Sequence, residues 1–174
     1  MSIYALLENT NPILKVSLSE CDEDLNRQEL KDNLIETMKE YHGIGLSANQ
    51  CGVMARVFVM YSDINKREII SCFNPKIISF SEEIVTMDEG CLTYPGLWLK
   101  VKRPESICCT FEDENGELNE VEMFGLESRV FQHEMDHMEG KNFISKVCKL
   151  RLDMAKKRAA KVLNRSKQRA WQTC

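Results

Sequence analysis

The pattern His133-Glu134-Met135-Asp136-His137 contains the side chains of this chain that are best suited to metal chemistry. Histidines at this spacing project from the same face of a helix, so both imidazoles can reach one metal ion. The glutamate between them can lie beside that ion without binding it and can take a proton from a water molecule. The pattern therefore predicts a hydrolytic metal site. The alternative is a helix that carries the same residues on a solvated surface.

The helix that must position these residues begins near Leu126. One stripe of this helix holds apolar residues together with both histidines: Leu126, Val130, His133 and His137. We therefore expect both imidazoles to face the interior, where an unpaired imidazole is difficult to satisfy without a ligand.

Two histidines do not complete a metal site, and the sequence that follows them offers no suitable third ligand. The metalloprotease pattern H-E-x-x-H-x-x-G-x-x-H is followed as far as Gly140, but Phe143 stands where the third histidine should be. Among the later acids, Glu139 is too close to fold back and Asp153 lies in a basic tail. The missing ligand is therefore expected upstream.

Cys91 is an upstream candidate for that ligand. It lies between Gly90 and Leu92 in residues 88–96, which we predict to be an irregular loop. An isolated free cysteine is more often a small buried residue, but here the helix still needs a ligand. The eight cysteines show no C-x-x-C spacing, and we predict that most are reduced thiols.

A second segment with chemical potential is Gly43-Ile44-Gly45, which is followed by small residues and Gln50. Glycines allow the backbone to come close to a ligand, and a glutamine side chain can donate a hydrogen bond to an oxyanion. The alternative is a helix end and a turn into the next strand. The third glycine of a dinucleotide-binding loop is missing, which excludes nucleotide binding.

The remaining patterns predict an α+β fold with antiparallel sheets packed around the metal-binding helix and a basic helix at the C-terminus. Apolar residues at helical spacing predict a helix over residues 24–41. Asn74-Pro75 is expected to separate two strands, and Asn115-Gly116 predicts a two-residue hairpin turn. The predicted strands are residues 56–61, 68–73, 76–80, 84–87, 106–111 and 118–123.

The length of 174 residues suits one domain with a substantial core. We divide it into a catalytic region, residues 1–150, and a basic helical extension of the same domain, residues 151–174. No apolar run is long enough to cross a bilayer, and no signal or transit peptide is visible. The expectation is a cytoplasmic protein without a membrane partner.

Three segments together resemble the signature motifs of the peptide deformylase family, in the family's order. They are Gly43-Ile44-Gly45-Leu46-Ser47-Ala48-Asn49-Gln50, Glu89-Gly90-Cys91-Leu92-Thr93 and Gln132-His133-Glu134-Met135-Asp136-His137. The resemblance extends over residues 11–143. It departs from the family at Thr93, where serine is usual, and at Met138, where leucine is usual.

The resemblance implies a hydrolase that removes the formyl group from N-formylmethionine at the start of nascent polypeptides. It implies one divalent metal ion, ferrous in the cell and replaceable by zinc or nickel, bound by Cys91, His133 and His137. A metal-activated water would react, with Glu134 as general base and acid.

The resemblance also assigns residues to the substrate. Gln50 and the backbone N–H of Leu92 would donate hydrogen bonds to the oxyanion. Further residues would bind the peptide: Ile44, Gly45 and Gly90 along a channel, and Leu126 and Val130 around the methionine side chain.

The C-terminal segment is strongly basic. Ten basic residues and one acid between Lys146 and Arg169 give it a charge of +9, so the remainder of a chain with net charge −4 carries −13. Such asymmetry suggests contact with nucleic acid, and the family resemblance implies that this partner is the ribosome. A solvated helix is the alternative. Val147, Leu150 and Met154 are expected to dock its first turns.

Two other classes of function remain open at this point. One is a metalloprotease, which would need a third ligand that the downstream sequence does not supply. The other is a ribosome or nucleic-acid binder without enzymatic activity, for which the basic tail is the argument.

Overall fold

The computed structural model describes the backbone of residues 2–172 and the side chains of residues 2–162. Two antiparallel sheets and three α-helices make up this part of the chain, so the predicted α+β class is confirmed. The helices are α1 Arg27–Glu40, α2 Gly125–Met138 and α3 Lys149–Gln172. The strands are β1 Gly45–Ser47, β2 Val57–Asp63, β3 Glu68–Phe80, β4 Ile84–Cys91, β5 Tyr94–Pro104, β6 Ser106–Glu112 and β7 Leu118–Phe124. Short 3₁₀ turns cover Pro12–Lys15, Ala48–Cys51 and Phe143–Lys146.

The larger sheet has the order β1-β2-β3-β6-β7, and β4 pairs only with β5 in a separate hairpin. Every strand pair is antiparallel. Strand β1 is therefore an edge strand, paired with β2 on one side. A sheet edge presents backbone groups that are not paired with another strand, and the segment that carries Gly45 has such an edge on the side away from β2.

Helix α2 lies at the centre of the molecule, and every residue from Ser128 to Met138 is buried. Phe131 packs edge-on against Phe58 of β2, with ring centroids 5.0 Å apart. Burying each such ring contributes roughly 1.5–3 kcal/mol, so the helix is firmly fixed. The prediction that both histidines face the interior is confirmed, since His133 is 8% and His137 2% exposed.

Helix α1 is shorter than the predicted residues 24–41. It begins at Arg27 because the side chain of Asn26 accepts a hydrogen bond from the N–H of Glu29 and caps the helix. It ends before Tyr41, in a turn where His42 has a φ of 55°.

The predicted break at Asn74-Pro75 is wrong, because Glu68–Phe80 is a single strand. The pairing register with β6 shifts between Phe73 and Lys76, and Asn74 has a φ of 49°. An irregularity of this kind lets a strand contain a proline that cannot donate a hydrogen bond. The side chain of Asn74 accepts a hydrogen bond from the N–H of Cys21 at 2.8 Å, which holds the irregular segment.

The predicted loop over residues 88–96 is also wrong. Strand β4 continues to Cys91, and β5 begins at Tyr94. The alternation of buried Leu97, Leu99 and Val101 with exposed residues in β5 is the period of a half-buried strand. Cys91 therefore lies at a strand end in a tight hairpin, a more rigid position than a loop.

The turn between β6 and β7 lies at the predicted position but is longer than two residues. It spans Asp113 to Glu117, and Gly116 supplies the required positive φ of 83°. The Asp113 carboxylate accepts hydrogen bonds from the N–H groups of Asn115 and Glu117, which closes the longer loop. Strand β1 was not predicted at all.

Helix α3 docks on the β4–β5 hairpin through a different face than expected. Leu152 and Ala155 pack with Val147 against the cluster around Phe143. Leu150 and Met154, predicted to dock, are 70% and 49% exposed. The division after residue 150 stays a prediction. None of the helices in residues 2–172 combines the length and hydropathy that a membrane crossing requires.

Candidate metal centre

The thiol of Cys91 and the two imidazoles of α2 converge at the centre of the molecule. Their ligand atoms all lie within 4.8 Å of one another, and within the described residues they form the only such group of three. Sγ of Cys91 is 3.4 Å from Nε2 of His137. A soft thiolate with two imidazoles suits iron, zinc or nickel, and three protein ligands leave one coordination position for water. The donor set therefore fits a catalytic metal ion.

The electrostatics of the group favour the form of cysteine that binds metals. Burial would raise the pKa of the Cys91 thiol, but the imidazoles of His137 and His133 outweigh it and hold that pKa well below its usual value. Burial would lower the pKa of His133, yet Cys91 and Glu89 raise it to about 10. A metal ion binds the thiolate form of cysteine. Binding of a metal to Cys91, His133 and His137 would therefore displace the proton that these residues share.

Glu89 orients one of the two histidines. Its carboxylate is 3.0 Å from Nδ1 of His133, which leaves Nε2 of that ring for a metal. Arg103 donates to both oxygens of Glu89 at 2.7 and 2.9 Å, and Arg129 donates to one at 2.9 Å. Burial would raise the pKa of Glu89, but Arg103 and His133 lower it well below its usual range. The carboxylate is thus ionised and fixed behind the ligand, as is common in metal sites.

This buried ionic cluster extends along α2 to Asp136. Arg103 also lies 2.9 Å from the carboxylate of Asp136, whose other oxygen is 3.1 Å from Nζ of Lys146. Sequence reasoning assigned no role to Glu89, Arg103 or Arg129. An inward-facing arginine in the alternating pattern of β5 was the available signal, but that strand had not been predicted.

Replacing Glu89 by glutamine should lower the affinity for the metal by about 10–100-fold, because Arg103 and Arg129 hold a neutral amide less firmly than a carboxylate and His133 is then less well oriented. Breaking a buried ion pair also costs roughly 3–5 kcal/mol of folding stability. Competition with a chromogenic chelator measures the affinity, and chemical denaturation measures the stability. Exposed Glu82→Gln serves as the control. Equal affinities in the two variants would contradict the orienting role.

Glu134 lies beside the ligand group and is buried. Ser47 Oγ donates a hydrogen bond to its carboxylate at 2.5 Å. Burial raises the pKa of Glu134, against the opposing effect of His133 and His137. A carboxylate with a raised pKa is well suited to accept a proton and return it near neutral pH.

The backbone of Gly45 approaches Glu134 so closely that a side chain at this position would force Glu134 or Val130 to shift. A Cβ atom at this position would lie 2.6 Å from Oε1 of Glu134 and 2.8 Å from Cγ1 of Val130. Gly45 therefore brings the edge strand directly against the carboxylate of Glu134.

Gln50 is held with its amide N–H₂ group toward the same centre. Its carbonyl oxygen accepts from the N–H of Ser47 at 3.0 Å, and its Nε2 donates to Thr93 Oγ1 at 2.8 Å. The same Nε2 is 3.4 Å from Sγ of Cys91. Thr93, which replaces the usual serine, thus supplies a hydroxyl that holds the hairpin turn to Gln50.

An apolar cavity of about 450 Å³ opens in front of this centre. The predicted substrate and oxyanion residues all line it: Ile44, Gly45, Gln50, Gly90, Leu92, Leu126 and Val130. One wall comes from the segment leading into β1, the other from the β4–β5 hairpin, and the floor from α2. The aromatic residues Tyr41, Tyr94 and Trp98 also line it and were not predicted.

Phe143 occupies the position where the metalloprotease pattern has its third histidine. The side chain is buried and packs against the imidazole of His133, with ring centroids 5.5 Å apart. It packs against a candidate ligand and offers no ligand atom itself, so the metalloprotease arrangement is absent from the described residues.

Comparisons with known proteins agree with this geometry. A family model described as polypeptide deformylase matches residues 3–153. A peptide deformylase of Thermodesulfovibrio yellowstonii is 38% identical over 165 residues, which cover 91% of this chain and 97% of that protein. The crystal structure of a peptide deformylase from Synechococcus elongatus in complex with actinonin has a TM-score of 0.85 at 29% identity, covering 90% of this chain and 88% of that one. A class I type b peptide deformylase from Acinetobacter baumannii with bound Met-Ala-Ser has a TM-score of 0.79 at 29% identity, covering 84% of this chain and 100% of that one.

Proposed function

The chain belongs to the polypeptide deformylase family, and on that premise we propose that it removes the formyl group from N-formylmethionine at the start of nascent polypeptides. The observation that carries the proposal is the convergence of Cys91, His133 and His137 beside Glu134 at the end of an apolar cavity. The Acinetobacter relative with bound Met-Ala-Ser supports a site for a peptide that begins with methionine. Because such chains emerge from ribosomes, the proposal places the protein in the cytoplasm.

The cavity suits a short extended peptide. The backbone of the substrate would lie between Ile44-Gly45 at the edge of the larger sheet and Gly90 of β4, where backbone groups can pair with it. The methionine side chain would enter the apolar floor formed by Leu126 and Val130. An apolar pocket that excludes water strengthens the electrostatic interactions around the reacting formyl group.

Each residue of the site has a separate role in the proposed hydrolysis. A metal ion held by Cys91, His133 and His137 would make water a stronger acid and polarise the formyl group. Glu134 accepts the proton as the water oxygen attacks the formyl carbon, and it returns the proton to the amine when the C–N bond breaks. Gln50 and the backbone N–H of Leu92 donate hydrogen bonds to the developing oxyanion. The products are formate and a free methionyl N-terminus.

The identity of the metal is part of the proposal. We propose ferrous iron in the cell, with zinc and nickel as functional replacements, since all three accept a thiolate and two imidazoles. Formate release from formyl-methionyl peptides, measured together with metal content on the same sample, tests both statements. Cleavage of unformylated peptides, or formate release by a protein without metal, would contradict the proposal.

The basic C-terminal helix is the basis of a second proposal, that it rests on ribosomal RNA near the nascent-chain exit. Lys156, Lys157, Arg158 and Lys161 of α3 are all exposed, and contacts with phosphates should weaken steeply with salt. Removing residues 156–174 should preserve formate release from a short peptide and reduce co-sedimentation with ribosomes at low salt.

A full-length variant distinguishes the effect of the lost charges from the effect of shortening the chain. Neutralising Lys156, Lys157, Arg158 and Lys161 to glutamine should reduce co-sedimentation as the truncation does. Neutralising exposed Lys66 and Lys102, which lie outside the helix, should not. If neither change in α3 reduced ribosome binding, the proposal would be contradicted and α3 would be a solvated helix without a ribosome contact.

A further inference from the structure

Trp98 is a large aromatic side chain exposed at the mouth of the cavity. It is 65% exposed, although most residues that line the cavity from α2 are buried. It lies opposite Gly90 in the register of the β4–β5 hairpin. A Cβ atom at Gly90 would meet three atoms of the indole, all at 3.2 Å. Equal distances to three ring atoms place the face of the indole flat against the strand.

This arrangement fixes the indole while leaving much of it uncovered. The missing side chain at Gly90 creates the space that one face of the ring occupies. The remaining surface is open to solvent at the cavity mouth, where Tyr41 and Ile44 are also partly exposed. An aromatic ring that loses little conformational freedom on binding is well suited to act as a contact surface.

The alternation of side chains along an extended peptide indicates what this ring meets. Successive side chains of a strand point to opposite faces. If methionine points into the floor near Leu126 and Val130, the side chain of the next residue points away from α2 toward the mouth. Gly90 pairs with the peptide backbone in the proposed function, and Trp98 is the side chain that covers Gly90.

We propose that Trp98 is a specificity-determining residue that contacts the second residue of the substrate and favours a bulky apolar or aromatic side chain there. The proposal rests on the proposed deformylase function. The chain has a second tryptophan, Trp171, in the C-terminal helix.

The test compares formyl-Met-Phe-Ser with formyl-Met-Ala-Ser. The intact protein should show the higher kcat/KM for the phenylalanine peptide, and Trp98→Ala should lower that preference about fivefold, as expected for loss of an aromatic contact. Trp98→Tyr should restore most of it. Leu118→Ala, which truncates an exposed apolar residue outside the cavity, should leave the ratio unchanged.

A purely structural role for Trp98 predicts a different result. In that case Trp98→Ala lowers kcat/KM for both peptides in parallel and the ratio stays constant, which would overturn the proposal. A Trp171→Phe variant leaves Trp98 as the only indole. Its fluorescence should respond more strongly to Met-Phe-Ser than to Met-Ala-Ser, and equal responses also overturn the proposal. This binding measurement does not depend on turnover. If the protein released formate from neither peptide, that result would contradict the proposed deformylase function and not the role of Trp98.

Discussion

Replacing Glu134 by alanine should leave metal binding intact and lower the rate of formate release by about 10²–10⁴-fold, the usual contribution of a general acid–base group. Glu134 is not part of the ligand group, which consists of Cys91, His133 and His137. Its carboxylate lies buried beside that group, is held by Ser47 and has a pKa raised by burial. Removing it eliminates the only proton carrier assigned to the reaction.

The measurement is single-turnover formate release with metal analysis of the same protein. Glu127→Ala is the matched control, because Glu127 lies on the same helix but outside the large cavity. Glu134→Gln keeps the size of the side chain and should be nearly as inactive as the alanine variant. Near-normal turnover by either Glu134 variant would remove this residue from the mechanism.

The sequence was sufficient to find the helix of the candidate metal site because its signal is local. Two histidines one helical turn apart, on a stripe with apolar neighbours, predict both the helix and the direction of the imidazoles. Cys91 was found differently, since the missing third ligand made it a candidate and the family resemblance then joined this residue, 42 positions upstream of His133, to the same site. The structure brings all three ligand atoms together, while the roles of the individual residues remain proposals.

The buried cluster around Glu89 was beyond sequence reasoning for a physical reason. Its partners Arg103 and Arg129 are 14 and 40 positions away, on β5 and α2. Charged residues normally indicate exposed positions, and neither helical nor strand periodicity marks an arginine that is buried because it is paired. The alternation of buried Leu97, Leu99 and Val101 could have indicated β5, and Arg103 continues the same buried face near its end.

The C-terminal helix illustrates a second limit. Its existence was predicted correctly, but apolar residues lie on more than one of its faces, so periodicity alone could not decide which face docks. Leu152 and Ala155 are the residues that dock because they face the apolar cluster around Phe143 on the hairpin. Leu150 and Met154 remain exposed although they are at least as apolar.

Replacing Cys91 by alanine should lower metal occupancy and activity together, because it removes the only thiol of the ligand group. The loss is larger than that of one contact. The change also removes the contribution of Cys91 to the raised pKa of His133, while that of Glu89 stays, and Nε2 of Gln50 loses a neighbour at 3.4 Å. Metal content after dialysis against a weak chelator, together with formate release, measures both effects.

The other cysteines provide controls in different environments. Cys51 has a pKa raised to about 12 by burial and by Glu134, Cys72 is fully buried, and Cys148 is exposed. Alanine at any of these three positions should preserve the metal, although Cys72→Ala leaves a small core cavity that lowers stability. If Cys91→Ala retained both metal and activity, another residue would have to supply the third ligand. Since no other cluster of three ligand residues exists among the described residues, the loss should be confined to Cys91. A soft sulfur ligand at this position is compatible with the proposed iron, zinc or nickel.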